Sequence, residues 1–363
     1  MDDGGDGRPR TGWLLAYVPG LDGLRGIAVL LVLLSHLAIP STAGIGMIGV
    51  TIFFVLSGFL ICTLLCEELE AHGGIRLGVF YRRRAARLLP ALLAVVAVSV
   101  LVTMVSGISF VTVPEVLGTL FYCSNLLGTV LPFRLDGMLH HTWSLVLEEQ
   151  FYLLFPAVLL LLRRHPIALR RLLVAGVVTI AVGRVLLMLA GLIDDRMLFV
   201  GATRDDAILI GCLIALGLRH RSLPRSRLGV AAGLLGCGLF AFLSSSLLTF
   251  LCLTLVAAAA GWMVLDVVGT GGPRWLSSRP LVWVGRRSYG LYLWHHLVVI
   301  FAGTVLHAGG SVVAMTLCVV PASLLLAELS WRYVEQPFLR RRPSGCDVVR
   351  QQDGEGTAAE AVA

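Results

Sequence analysis

The run YRRRAARLLPALLAVVAVSVLVTMVSG, residues 81–107, decides the architecture. Its first seven residues hold Arg82, Arg83, Arg84 and Arg87, and no residue from Leu88 to Gly107 carries a charge. A helix rises 1.5 Å per residue, so about 20 mostly apolar residues cross the hydrocarbon of a bilayer. Residues 88–107 meet that length. The arginines at one end mark a cytoplasmic boundary, because basic residues collect in the loops on that side.

The same pattern repeats outward in both directions. Spans are expected at approximately 21–40, 47–66, 88–107, 142–162, 172–192, 203–219, 229–245, 247–266, 286–304 and 311–334. Segment 115–131 is apolar but short, and Pro114 and Pro132 bracket it, so it reads as re-entrant or as an outer-face helix. Arginines cluster at 8–10, 82–87, 163–171, 219–227, 274–287 and 340–342. The intervening loops at 40–46, 108–141, 193–202, 244–246 and 305–310 carry only Arg134 and Arg196. The expected fold class is therefore an all-α integral membrane protein with about ten transmembrane helices and both termini cytoplasmic. It is expected to be multi-pass in the inner (plasma) membrane. Residues 1–20 precede the membrane domain, 21–340 form it, and the polar 341–363 read as a disordered cytoplasmic tail.

Composition agrees. Of 363 residues, 57% are hydrophobic and 14% charged, against about a quarter charged in soluble domains. The formal charge of +7 comes from arginine in short clusters, with no lysine anywhere. That distribution follows membrane topology and does not call for nucleic acid. Eight cysteines occur, most of them inside apolar runs and none in a CxxC pair. They read as small buried hydrophobes rather than a disulfide framework or a zinc site. No HExxH motif occurs, and no metal is expected. The absence of an internal repeat weakens a transporter built from duplicated halves.

Ionisable side chains inside a membrane are functional candidates, because each costs a few kcal/mol unless compensated (about 3 kcal/mol at a helix centre). Arg25 and His36 lie eleven residues apart, about three helical turns, and so share a face of the first span. Arg84 and Arg87 are neighbours on one helix face at the cytoplasmic mouth. The guanidinium fork donates two hydrogen bonds at once and suits phosphate. Ser144, Glu148 and Tyr152 recur every fourth residue and form one stripe of the fourth span, with His141 and Trp143 just before them. Arg204 and Asp206 open the sixth span on the same side. Tyr289, Tyr292 and His295 step along one face at three-residue intervals. Ser57-Gly58 reads as close helix packing.

Several stretches together resemble the acyltransferase-3 family of membrane acyltransferases, which acylate O-antigen, other polysaccharides and macrolides. They are Leu21-Asp22-Gly23-Leu24-Arg25-Gly26 followed by His36, then Phe53-Phe54-Val55-Leu56-Ser57-Gly58, and Arg84-Ala85-Ala86-Arg87 with Pro90. His141-Thr142-Trp143-Ser144 with Glu148 follows, then Thr203-Arg204 with Asp206, Leu291-Tyr292-Leu293-Trp294-His295, and Tyr333-Val334-Glu335-Gln336-Pro337. They fall in order across about 20–340. The chain departs from the family pattern at Thr51, where Asp is common, at His296, often Trp, and at Leu297, often Pro.

The resemblance implies an O-acyltransferase. An alcohol attacks poorly until its proton is removed, and a neutral imidazole suits that task near pH 7. His36 is the expected general base, a role the resemblance also implies, with Glu148 beside the acceptor or the base. Arg25, Arg84 and Arg87 are expected to hold acyl-CoA, most simply acetyl-CoA, as co-substrate. His141, Trp143, Ser144, Tyr152, Arg204, Asp206, Tyr292 and His295 are expected to bind the acceptor, a hydroxyl-bearing glycan or a glycosylated metabolite such as a macrolide-type antibiotic. The alternative is a transporter or acyl-group channel, which the same polar path would serve without chemistry.

Overall fold

The computed structural model describes residues 17–37, 39, 43–126, 137–191, 202–219, 228–243, 252–307 and 310–340. Among them every regular element is helical. The helices, in chain order, are α1 (Pro19–Ser35), α2 (Ala43–His72), α3 (Leu77–Ser106), α4 (Val113–Leu120), α5 (Trp143–Leu162), α6 (Pro166–Leu189) and α7 (Asp206–Arg219). They continue with α8 (Gly229–Leu243), α9 (Leu253–Thr270), α10 (Arg279–Arg286), α11 (Ser288–Thr304) and α12 (Val312–Leu329). A π turn, Ser330–Glu335, and a last short helix, α13 (Gln336–Arg340), follow.

Each of the expected spans is met by a helix. Among the described residues, six stretches are long and apolar enough to cross a bilayer on their own: Gly44–His72, Leu77–Ser106, His140–Leu162, Pro166–Leu189, Leu253–Thr270 and Val312–Leu339. The others are α1 and α11, with 17 residues each, and α7 and α8, of which 14 and 15 residues are described. At 1.5 Å per residue, α1 and α11 fall short of a hydrocarbon core about 30 Å thick. The structure also moves two expected boundaries. Helix α1 stops at Ser35 rather than running to residue 40, because the Ser35 hydroxyl donates to the Val32 carbonyl at 2.7 Å and His36 Nδ1 meets the same oxygen at 2.8 Å. Side-chain bonds of this kind compete with the backbone ladder. Helix α9 begins at Leu253 and ends at Thr270, later than the expected 247–266, with Gly271 in the left-handed conformation at its C-cap. The expected tail 341–363 lies outside the described residues.

Helices α1, α2, α7 and α9 form the principal core, with Leu24, Val55, Ile208, Cys212 and Val264 among its buried side chains. A second apolar cluster joins α3, α5 and α11 through Leu92, Val95, Leu145 and Leu293. Helix α6 buries only Leu169, Leu173 and Arg184, while Leu172, Val178, Leu186 and Leu189 stand exposed. A helix apolar all round with its outer face uncovered is suited to lipid contact. Helices α2 and α7 approach closely. A Cβ on Gly58 would strike the Ile208 carbonyl, and one on Gly211 would strike the Val55 carbonyl. Small residues permit this contact between membrane helices, so the packing reading of Gly58 holds.

The chain ends its membrane domain with an irregularity. Pro337 has no N–H to offer the Tyr333 carbonyl, and the backbone widens into the π turn just before it. That turn buries Glu335, which accepts a hydrogen bond from Ser330 Oγ at 2.9 Å.

Candidate active site

A cavity of about 190 Å³ opens among α1, α2, α3, α5 and α11. Arg25, Arg83, Arg84 and Arg87 supply its basic lining, Phe53, Phe54, Leu60 and Ile61 its apolar wall, and Ser144, Glu148, Tyr152 and Tyr292 its inner end. The sequence argument treated Arg83 as a topology signal only; it lines this cavity with the others.

The arginines are held in place. Arg84 Nη2 donates to Glu149 Oε1 at 2.8 Å, and its guanidinium lies 3.5 Å from the centre of the Tyr152 ring. Arg25 Nη1 donates to the buried Asp22 at 3.2 Å. Asp22 also accepts from Tyr17 at 3.0 Å, and Arg286 donates to Tyr17 at 2.7 Å. The Tyr152 hydroxyl donates to Glu148 Oε2 at 3.2 Å, and Ser57 is in hydrogen-bond reach of the same carboxylate. The stripe Ser144, Glu148, Tyr152 therefore exists as expected. Glu148 sits with the arginine cavity, and the polar partners of His36 are Val32 and Ser35.

His36 caps the C-terminus of α1 and does not line the cavity. Its ring faces other imidazoles, with centroids 5.1 Å from His295 and 5.3 Å from His296. His141 stacks on His296 at 4.8 Å and lies 5.4 Å from His295. A carbonyl only accepts, so the 2.8 Å contact to the Val32 oxygen makes Nδ1 of His36 the N–H donor and leaves Nε2 its lone pair. His295 has the same arrangement, with Nδ1 2.6 Å from the Tyr292 carbonyl. Its Nε2, and both ring nitrogens of His141, are buried without a hydrogen-bond partner. Buried polar groups usually have a hydrogen-bond partner, so these nitrogens keep unused hydrogen-bonding capacity. No group of three or more His, Cys, Asp or Glu side chains among the described residues is placed to hold a metal ion.

Tyr292 joins the two regions. Its hydroxyl donates to the His141 carbonyl at 2.6 Å and therefore accepts from Ser144 Oγ at 2.7 Å. It lines the cavity, while its ring lies 5.4 Å from that of His141 and 5.6 Å from that of His295. The phenol thus stands between the arginine cavity and the imidazoles.

The remaining expected residues form a third group. Asp206 Oδ2 accepts from Arg184 Nη2 at 3.0 Å, both side chains deeply buried, and from the half-buried Thr254 at 2.5 Å. Asp206 is thus occupied as the counter-ion of Arg184. Arg204 lies 4.8 Å from the Trp143 ring, and Trp143 packs edge-on against Phe54. Trp143 is buried, so it is no member of an interfacial aromatic belt.

Glu149, which by its place off the Ser144 stripe reads as a rim charge, instead holds Arg84. A carboxylate in a membrane helix needs a cation, and the arginine cluster supplies it. His296 stood out only as a departure from the family pattern. Thr254 carried no signal. At the other departure, Thr51 is buried and its hydroxyl donates to the Met47 carbonyl at 2.9 Å, so its own helix satisfies it.

Comparison with known proteins gives the family of the chain. A family model described as an acyltransferase domain matches residues 18–331. An O-acetyltransferase OatA of Staphylococcus aureus is 30% identical over 356 residues, covering 90% of this chain and 58% of that protein. A peptidoglycan O-acetyltransferase OatA of Listeria monocytogenes is 33% identical over 353 residues, covering 89% and 56%. A putative O-acetyltransferase of Staphylococcus aureus is 32% identical over 352 residues, covering 89% and 58%. The chain therefore spans little more than half the length of these relatives. No solved structure matches it.

Proposed function

The chain belongs to the acyltransferase-domain family, and from that premise we propose that it is a membrane O-acetyltransferase carrying an acetyl group from cytosolic acetyl-CoA to a hydroxyl of a glycan. The observation that carries this reading is the junction at Tyr292, where a basic cavity suited to a phosphate-bearing carrier abuts a cluster of imidazoles with unpaired nitrogens. Arg25, Arg83, Arg84 and Arg87 bind the phosphates of the donor by paired N–H bonds. The thin pantetheine arm follows the apolar wall of Phe53, Phe54 and Leu60 towards Tyr292. In this reading the donor enters from the cytoplasm, the chain crosses the plasma membrane about ten times, and the acceptor reaches the imidazoles from the other side.

His36 is the general base. Its Nε2 takes the proton of the acceptor hydroxyl while that oxygen attacks the thioester carbonyl. A C–O bond forms, the C–S bond breaks, and the imidazolium returns the proton to the coenzyme thiolate. The Val32 carbonyl fixes the tautomer this step requires. Because one relative is named a peptidoglycan O-acetyltransferase, a cell-wall glycan is favoured over a glycosylated small molecule such as a macrolide.

The test is a transfer assay on membranes containing the full chain, with radiolabelled acetyl-CoA and peptidoglycan fragments. Labelled glycan is expected, and His36→Ala should abolish it while the protein still inserts and unfolds at an unchanged temperature. Turnover that survives in the variant would remove His36 from the chemistry. Label that crosses sealed vesicles without joining any acceptor would establish a transporter instead.

A further inference from the structure

Two short elements seat on the first turns of α1, at the end that carries Asp22 and Arg25: the 3₁₀ turn Arg274–Ser277 and α10. A Cβ on Gly23 would strike the Leu276 carbonyl, and one on Gly285 would strike the Asp22 carbonyl. Leu276 and Gly285 are the buried residues of the two elements. Their outer side is of another kind. Arg274, Arg279 and Arg286 are exposed, Trp275 is 49% exposed, and Trp283 is half-buried. Arg286 is answered by Tyr17, to which it donates at 2.7 Å. Arg274 and Arg279 take part in no hydrogen bond or ion pair among the described residues. The surrounding sequence supplies no counter-charge, since no acidic residue occurs from Val267 to Ala327, where four arginines stand.

A short basic helix with indoles beside its cations belongs in the headgroup layer of a bilayer. The group that completes this surface must be an anion that brings apolar area with it. Free phosphate would answer the arginines and leave Trp275 bare. A second copy of the chain would bring arginine against arginine. A phospholipid meets both needs: its phosphate offers paired oxygens to guanidinium N–H groups, and its acyl chains cover the indoles. An anionic headgroup is favoured over a zwitterionic one, because both cations stand without a counter-charge. We propose that Arg274, Trp275 and Arg279 form a docking surface for an anionic phospholipid, in the leaflet on the Arg25 side of the membrane. The lipid rests on the outer side of the elements that press on Asp22, the carboxylate that anchors Arg25. Docking here requires no acetyl transfer.

The test is tryptophan fluorescence of the full chain in phosphatidylcholine vesicles, without acetyl-CoA. The vesicles carry, at equal mole fraction, either bromine-labelled phosphatidylglycerol or bromine-labelled phosphatidylcholine, and bromine quenches an indole only in contact with it. Two guanidiniums at a membrane surface favour the anionic lipid by roughly tenfold or more. Phosphatidylglycerol should therefore quench a larger share of the emission. Trp275→Phe should reduce that excess, because it removes the reporter. Arg274→Gln combined with Arg279→Gln should abolish it and leave the two lipids quenching alike. Equal quenching in the wild-type chain would overturn the docking surface without need of any variant; a second copy of the chain seated there would give that result by keeping both lipids off Trp275. An excess that persists in the double arginine variant, or that Trp275→Phe leaves unchanged, would place the anionic lipid elsewhere and overturn it equally.

Discussion

At the scale of single residues, the chemistry is set by hydrogen bonds that assign protons. His36 was legible in the sequence as an imidazole eleven residues after an arginine. Its tautomer was not, because that depends on the Val32 carbonyl released where α1 ends. Tyr292 was legible as a member of a stripe, but its role as the link between cavity and imidazoles needs α5 and α11 side by side. Its hydroxyl holds two buried groups, Ser144 Oγ and the His141 carbonyl. Tyr292→Phe keeps the ring and strands both. The expected cost is about 1–3 kcal/mol of stability, the usual penalty for leaving buried polar groups unpaired. Ser144→Ala placed in the Tyr292→Phe background should then cost much less than it does alone, since its partner is already gone. Denaturant unfolding of the two single variants and the double variant in detergent measures this. Additive losses would show that the two hydroxyls do not act as one unit.

At the scale of elements, periodicity found the helices and missed what ends and joins them. The boundaries of α1 and α9 moved because caps and side-chain bonds decide them, and these involve partners that hydropathy does not register. The pairing of Arg84 with Glu149 was hidden because the two lie 65 residues apart, on α3 and α5. The same holds for α6 and α7, clamped by Arg184 and Asp206, whose side chains are 1% and 2% exposed. A buried ion pair contributes little net stability, yet removing one partner leaves a naked charge and costs about 3–5 kcal/mol. Asp206→Asn should therefore lower the unfolding midpoint sharply. The double variant Arg184→Met with Asp206→Leu should recover much of the loss, because it removes both charges at similar volume. If Asp206→Asn unfolds like the wild type, the clamp between α6 and α7 contributes nothing.

At the scale of the whole molecule, the arrangement of charge along the chain was the most legible feature, because basic residues sort by side of the membrane whatever the helices do between them. The number of crossings is a separate matter. Among the described residues, six stretches are long and apolar enough to cross, and the described parts of α1, α7, α8 and α11 are too short to be counted that way. Both readings give an even number and put the two termini on one side, but with the arginines at 82–87 in the cytoplasm six crossings put that side outside and ten put it inside. The loops flanking α7 distinguish the readings as well. If α7 crosses, the arginine-rich stretch 219–227 lies in the cytoplasm and 193–202 lies outside; if it does not, both lie on one side. A cysteine-free chain carrying Ser222→Cys should react with a membrane-impermeant maleimide in inside-out vesicles and be protected in right-side-out ones. Gly310→Cys should behave in the opposite way. The described part of α7, 14 residues, reaches about 21 Å. Labelling of Ser222→Cys from outside would refute the crossing.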